Sequence, residues 1–245
     1  MKYVLSYGGG VNSSALYFYI VHMKKLPLDV VLFADTGEEF ETTYQSVEKM
    51  KEQCIKDRIQ FITVKSKFYP LYNYYYEKKR VPLIHLRDCT SKFKIQPIRT
   101  YIRKHILNNK FRVKPGETPY ITQYLGITWD EAHRVSKSDA NYIEYSYPFV
   151  DDKIDRKGNS DILNKFEFIA SKSGCKGCPF STNASWNSLS NEEFERWAIL
   201  EEQNTGYPKI KLTTKKMPLR QIRNKIIKDE VEDLTCKNLH GGCFL

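Results

Sequence analysis

The sequence has no apolar run near the ~20 residues that a membrane-spanning helix requires, which excludes a helical membrane anchor. The opening stretch, Met1-Lys2-Tyr3-Val4-Leu5-Ser6-Tyr7, runs straight into three glycines and leaves no room for a signal peptide, so a cytoplasmic location is expected. There is no Gly-Lys-Ser/Thr, which excludes a Walker A loop, and no G-x-G-x-x-G dinucleotide fingerprint. Asp-Glu-Ala-His at 130–133 spells a helicase box, but without a Walker A loop that reading fails, and His133 reads as a helix residue. No internal repeat, low-complexity linker or heptad run is present, which argues against solenoids and coiled coils. Acidic residues are scarce in one window. Between Lys65 and Lys114 fourteen Lys/Arg face only Glu77 and Asp88, a surplus of twelve against a net charge of +10 for the whole chain.

That window also holds nine aromatic residues, including Tyr72, Tyr74, Tyr75 and Tyr76. Cations track phosphates and aromatic rings stack on unpaired bases, so contact with nucleic acid, tRNA or DNA, is one reading. The other is a solvated lysine-rich surface over a tyrosine-lined core. Hydrophobic residues make up 41% of 245, enough for one sizeable α/β domain or a domain with an appendage.

Tyr3 to Ser6 reads as a strand, Ser13 to Met23 as a helix, and the continuous apolar run Val30 to Ala34 as a buried parallel strand. Thr42 to Lys56 is an amphipathic helix and Gln60 to Val64 a strand. This βαβαβ order predicts an α/β fold, a parallel sheet with helices on both faces. Ile95 to Leu107 reads as a helix and Tyr120 to Ile127 as a strand. After Pro148 the texture changes. Asp151 to Asp161 is polar and turn-rich, Ser171 to Ser185 bears cysteines, Asn191 to Asn204 is an acidic helix and Pro218 to Val231 a basic one. Residues 1–150 are expected to form a nucleotide-binding body and residues 151–245 a metal-bearing C-terminal extension packed on it.

Ser6-Tyr7-Gly8-Gly9-Gly10-Val11-Asn12-Ser13-Ser14 joins the first strand to the first helix. Glycines let backbone N–H groups approach an anion, Ser13 and Ser14 add hydroxyl donors, and the helix start carries about half a positive charge. This is a phosphate cradle, or else a tight turn without a ligand. Six cysteines in a reducing compartment read as metal ligands or catalytic thiols. Cys175-x-x-Cys178, shaped by Gly174, Gly177 and Pro179, places two thiols within reach of one metal; Cys89, Cys236 and Cys243 are further candidates. Cys54, inside an amphipathic helix, reads as a small core residue. Four thiolates suit zinc or iron–sulfur alike.

The glycine loop resembles the Ser-Gly-Gly-x-Asp-Ser signature of PP-loop ATP pyrophosphatases. It is closer to the Gly-Gly-Gly-Val variant of phosphoadenosine-phosphosulfate-reductase-like proteins, many of them encoded by phages. Phe33-Ala34-Asp35-Thr36-Gly37-Glu38-Glu39-Phe40-Glu41-Thr42 is similar to that family's Asp-Thr-Gly-x-x-Phe-x-Glu-Thr motif. Arg87-Asp88-Cys89-Thr90 with Lys94 and Pro97 resembles its Cys-Thr then Lys-x-x-Pro stretch. Gly174-Cys175-Lys176-Gly177-Cys178-Pro179-Phe180 and, more weakly, Gly126-Ile127 with Asp130 to Arg134 complete the series in order. Gly8 departs from the signature's serine and Asn12 from its aspartate. Asparagine is a poorer Mg²⁺ ligand than a carboxylate, and Asp35, Glu38 and Glu41 are the acids that could serve a Mg²⁺ instead.

The resemblance implies an adenine nucleotide, ATP or another, held by Ser6, Gly8, Gly9, Gly10, Asn12, Ser13, Ser14, Asp35, Thr36, Gly37, Arg87 and Lys94. It implies sulfur chemistry, with Asp35 and Cys236 as catalytic candidates. It tilts the metal toward an iron–sulfur cluster of the 4Fe-4S type on Cys89, Cys175, Cys178 and Cys243, with Cys236 as rival fourth ligand and zinc as alternative. Thr235 to Gly241 also resembles the reductases' Glu-Cys-Gly-Leu-His tail, though with one extra residue and no glutamate, and chance is the better explanation. Three functions are compatible: adenylation and sulfur transfer, on nucleic acid and with a sulfur- or electron-donor protein as partner; a sulfonucleotide reductase; or a non-catalytic zinc protein that binds nucleotide or nucleic acid.

Overall fold

The computed structural model describes residues 1–114, 116–206, 210–213 and 217–223. Their chain order begins with β1 (Lys2–Tyr7), α1 (Val11–Phe18), β2 (Val30–Asp35), α2 (Glu41–Lys56) and β3 (Gln60–Lys65). There follow α3 (Leu71–Glu77), α4 (Asp88–Thr90), α5 (Gln96–Tyr101), β4 (Ile121–Tyr124) and β5 (Ile143–Ser146). α6 (Pro148–Asp151), α7 (Arg156–Lys165), α8 (Asn183–Asn187), α9 (Asn191–Glu202) and α10 (Leu219–Arg223) complete the set. Wide π-helical turns extend α1 through Tyr19–Met23 and flank α5 at Ser91–Ile95 and Ile102–Ile106.

The five strands form one parallel sheet in the order β3-β2-β1-β4-β5. The chain starts in the middle, builds outward to β3, then crosses to the other side of β1. Successive side chains of a strand point to opposite faces. Leu5, Tyr7, Val31 and Phe33 therefore pack against α1, α2 and α7, while Val4, Val30, Leu32 and Ala34 pack against Ile98 and Ile102 on the other face. β2 is buried along its whole length, as its unbroken apolar run requires. A third cluster joins Leu71, Tyr72, Tyr74, Tyr75 and Phe93 to Trp186, Phe194 and Trp197 of α8 and α9.

Two readings of the sequence change here. The polar stretch Asp151 to Asp161 is not merely turns: Asp155 caps α7 by accepting from Gly158 N at 2.9 Å, and Ile162 and Leu163 bury against α1. Polar residues on the outer face hid a helix with a narrow apolar stripe. The tyrosines of the basic window divide. Tyr72, Tyr74 and Tyr75 are core residues, with Tyr75 fully buried, so they offer no face to a base, whereas Tyr76 is half exposed. Cys54 is fully buried, as its place in the amphipathic helix implied. Of the basic helix expected over Pro218 to Val231, α10 is the described part, and the remainder lies outside the described residues.

Candidate nucleotide site and cysteine knuckle

In an open parallel sheet, ligands bind beyond the carboxyl ends of the strands where the order reverses. Here that point lies between β1 and β4, and the glycine loop leaves β1 at it. Gly9 takes φ +73°, a left-handed turn that a side chain would oppose, and a Cβ there would also strike Thr43 of α2. Ser13 Oγ accepts from Gly8 N at 3.1 Å and donates to Gly10 O at 3.2 Å, closing the loop on itself. Ser14 Oγ lies 2.9 Å from the buried Tyr7 hydroxyl, and Ser6 Oγ accepts from Gln123 Nε2 at 2.5 Å. These hydroxyls brace the loop, and Ser13 takes up the Gly8 N–H.

Position 12 opens onto β4's exit. A Cβ on Gly126 would lie 3.1 Å from the Asn12 carbonyl, so only glycine lets the two loops approach without one yielding. Asn12 Nδ2 donates to Glu131 Oε2 at 3.3 Å, and Asn12 Oδ1 accepts from Asn159 Nδ2 at 3.0 Å. Glu131 is buried, and its Oε1 meets Arg134 and Arg156, each at 2.9 Å. Arg134 thus forms a partly buried ion pair, while His133 is exposed. Glu131 lies inside the weak Asp130 to Arg134 match, but the sequence carried no signal that it and Asn159 meet Asn12, which is far away in the chain.

Asp35 ends β2, and its Oδ1 accepts from Gly37 N at 2.8 Å and from the Tyr44 hydroxyl at 2.9 Å. Burial, then the Asp35 charge, push the Tyr44 hydroxyl far above its ordinary range, so it serves as a donor. Lys65 Nζ stands 3.6 Å from Asp35 Oδ2. Glu38 pairs with Arg196 at 2.9 Å, though burial outweighs that cation and leaves the Glu38 carboxyl above the usual range. Glu41 is exposed in the first turn of α2.

The Asp35–Phe40 loop is clipped to the cysteine knuckle. Glu39 and Cys175 form an antiparallel bridge, Phe40 N donates to Gly174 O at 3.0 Å, and Lys176 N donates to Glu38 O at 2.7 Å. Within the knuckle Cys178 N donates to Cys175 O at 3.1 Å. Cys175 Sγ donates to Glu39 Oε1 at 3.3 Å and lies 3.6 Å from Thr36 Oγ1. Burial first and the Glu39 charge second push the Cys175 thiol well above its ordinary range. Glu39 has no solvent exposure; Oε1 also meets Thr36 and Lys94 (3.0 and 3.3 Å), and Oε2 finds no hydrogen-bond partner among the described residues. Sequence reasoning assigned Glu39 no role, although its place inside the Asp-Thr-Gly motif was a signal.

Cys89 is half-buried in α4, between two residues that reach the knuckle: the Arg87 guanidinium sits 5.4 Å over the Phe180 ring, and Lys94 meets Glu39. Among the described residues no three His, Cys, Asp or Glu side chains converge to hold a metal ion. Cys236 and Cys243 lie outside the described residues. The described thiols alone therefore do not make a metal centre, and no helix among these residues is long and apolar enough to cross a membrane.

Residues 2–111 match the model of the phosphoadenosine phosphosulfate reductase domain. The likeness to that family therefore rests on somewhat less than half of the chain. The match spans β1 through α5, and so contains the glycine loop, the Asp35 motif and Cys89. Among solved structures the chain is similar to phosphoadenylyl-sulfate (PAPS) reductase from Candida auris in a phosphate complex. The TM-score is 0.49 and the identity 14%, covering 70% of this chain and 75% of that one. It is also similar to U34-tRNA thiolase NcsA from Methanococcus maripaludis with its [4Fe-4S] cluster, with TM-score 0.47 and identity 14%, covering 91% and 70%. No curated protein matches the chain.

Proposed function

We propose that the chain is an enzyme that binds an adenine nucleotide across the β1 and β2 exits and uses it in sulfur chemistry, with residues 1–150 as the nucleotide body. The observation that carries this reading is a juxtaposition. The Asp35 motif, which stands beside the glycine loop, is bridged through Glu39 to Cys175, so the glycine loop and the cysteine knuckle lie on either side of one motif.

In the proposed reaction a substrate oxygen attacks the α-phosphate, and pyrophosphate leaves into the glycine loop. Sulfur from a donor then displaces the adenylated oxygen, and AMP departs. Lys94 and Arg87 counter the anions, and Asp35, held by Gly37 N–H and Tyr44, fixes the wall against which the nucleotide lies. Such preorganised donors act where charge develops. The substrate class that suits the cation surplus of residues 65–114 is nucleic acid, with Tyr69 and Tyr76 as its exposed rings. A metal, iron–sulfur rather than zinc, is proposed on Cys89, Cys175, Cys178 and Cys243, with Cys236 as rival ligand. A cluster in that place would supply sulfur or electron handling.

Anaerobic purification with metal analysis and a visible spectrum tests the assignment. A brown, iron-containing protein that Cys175→Ser bleaches is expected. A colourless zinc protein that turns over no nucleotide would establish the non-catalytic binder instead. The match to the reductase domain favours a second reading, sulfonucleotide reduction. Sulfite release from phosphoadenosine phosphosulfate, abolished by Cys236→Ser, would select it.

A further inference from the structure

We infer that position 12 is not a metal ligand in this chain but the centre of an amide–carboxylate clasp, with Glu131 as the positioning residue, so that the glycine loop holds its nucleotide without a divalent cation there. This deepens the proposed function and rests on a nucleotide occupying the loop.

Asn12 lies in the first turn of α1, and both ends of its amide are engaged: Nδ2 donates to Glu131 Oε2 at 3.3 Å and Oδ1 accepts from Asn159 Nδ2 at 3.0 Å. The orientation is set by chemistry. An ionised carboxylate only accepts, so the nitrogen must face Glu131. The clasp ties together three segments that are distant in sequence: the glycine loop, the 3-10 turn Trp129–Arg134 after β4, and α7. Each tie is braced. Gly126 packs on the Asn12 backbone, Glu131 is buried beneath Arg134 and Arg156, and Asn159 has no solvent exposure.

The family's aspartate could not replace Asn12 in this setting. A carboxylate at position 12 would present oxygen to Glu131 at hydrogen-bond distance, two like charges with no donor between them, and the loop would be pushed off its seat. Asn12 and Glu131 are therefore matched, and each of their three side-chain oxygens already has a partner, Asn12 Oδ1 in Asn159, Glu131 Oε2 in Asn12 and Glu131 Oε1 in Arg134 and Arg156, whereas a hard cation prefers several oxygen ligands. The acids proposed from sequence for Mg²⁺ do not replace it. Asp35 Oδ1 accepts two hydrogen bonds, Glu38 pairs with Arg196, and Glu41 is exposed on α2.

The test is ATP affinity of the full chain, measured by equilibrium dialysis in buffer with Mg²⁺ and in excess EDTA, alongside melting temperature. Wild type is expected to bind equally, within about twofold, in both buffers. Asn12→Asp is expected to lose about tenfold or more, the worth of a hydrogen bond to a charged group. Asn12→Asp with Glu131→Gln is expected to recover most of it, because donor and acceptor merely exchange ends of one bond. A merely structural role would move melting temperature and affinity together, whereas the clasp predicts an affinity loss larger than the melting shift explains.

A tenfold loss in EDTA for wild type overturns the inference, as does Asn12→Asp binding like wild type, or a double variant as weak as the single one at unchanged melting temperature. The EDTA comparison needs no variant to fold. Wild type that binds no adenine nucleotide in either buffer overturns the proposed function itself, and the inference with it.

Discussion

Glu39 sits in an environment that a carboxylate ordinarily avoids. It lies wholly inside the protein, shares one oxygen among Thr36, Cys175 and Lys94, and leaves the other unmatched among the described residues. A buried carboxylate is stable only while its cation stays. Lys94→Ala is therefore expected to cost ~3 kcal/mol in urea denaturation, and a loss under ~1 kcal/mol would show that the Lys94 contact is not what holds Glu39 in place. Cys175 belongs to the same knot. Because burial holds its thiol protonated, metal-free native protein should alkylate Cys175 far more slowly than unfolded protein, as mass spectrometry would read. Position 12 makes the same point. Its departure from the family's aspartate was plain in the sequence, but the reason, a carboxylate 119 residues away in the chain, was not.

Elements are held by local contacts that a pattern of letters only partly reveals. The knuckle packs on α9 so closely that a Cβ at Gly177 would run into the Trp197 indole ring. Gly177→Ala should cost ~1–3 kcal/mol by overpacking, measured as a drop in denaturation midpoint, and Trp197→Phe should relieve part of it. At the far end of the sheet, Asp57 closes α2 and takes hydrogen bonds from Tyr17 at 2.7 Å, Gln53 at 2.9 Å and His22 at 3.0 Å. Burial alone would raise its carboxyl, but these donors outweigh it and leave it below the ordinary value of 3.8. A carboxyl lowered on folding stabilises fully above its unfolded value and loses that contribution as pH falls through its folded value. Asp57→Asn is thus expected to be less stable than wild type at neutral pH, by ~1–2 kcal/mol, with the gap closing as pH falls below the ordinary carboxyl value of 3.8. An equal gap at both extremes would refute the assignment. The turn Ser91–Ile95 before α5 and the helix α7 had no periodic signature strong enough to be read beforehand, since each presents only one or two buried apolar residues to the core.

Across the whole molecule, charge is the property most open to a solution test. A chain that engages nucleic acid through its cation surplus should lose affinity for tRNA steeply between about 50 and 200 mM salt. Charge-reversing exposed lysines such as Lys78 and Lys104 should flatten that slope, and a binding constant indifferent to salt would remove nucleic acid from the list of substrates. The same scale shows why the basic window misled in part. Its lysines other than Lys92 and Lys94 are exposed, but Tyr72, Tyr74 and Tyr75 are core residues that cluster with α8 and α9, which come more than a hundred residues later.

Sequence by itself determined the alternation of strands and helices, the parallel sheet, the glycine loop and the order of the family's motifs, because each depends on residues adjacent in the chain. Hydrophobic period and backbone freedom are local properties, so they are written locally. Only the tertiary structure decided that Glu39 meets Cys175, that Glu131 and Asn159 grip Asn12, and that three tyrosines point inward. Those facts depend on which distant segments the sheet order 3-2-1-4-5 brings together, and no window of neighbouring residues contains that information.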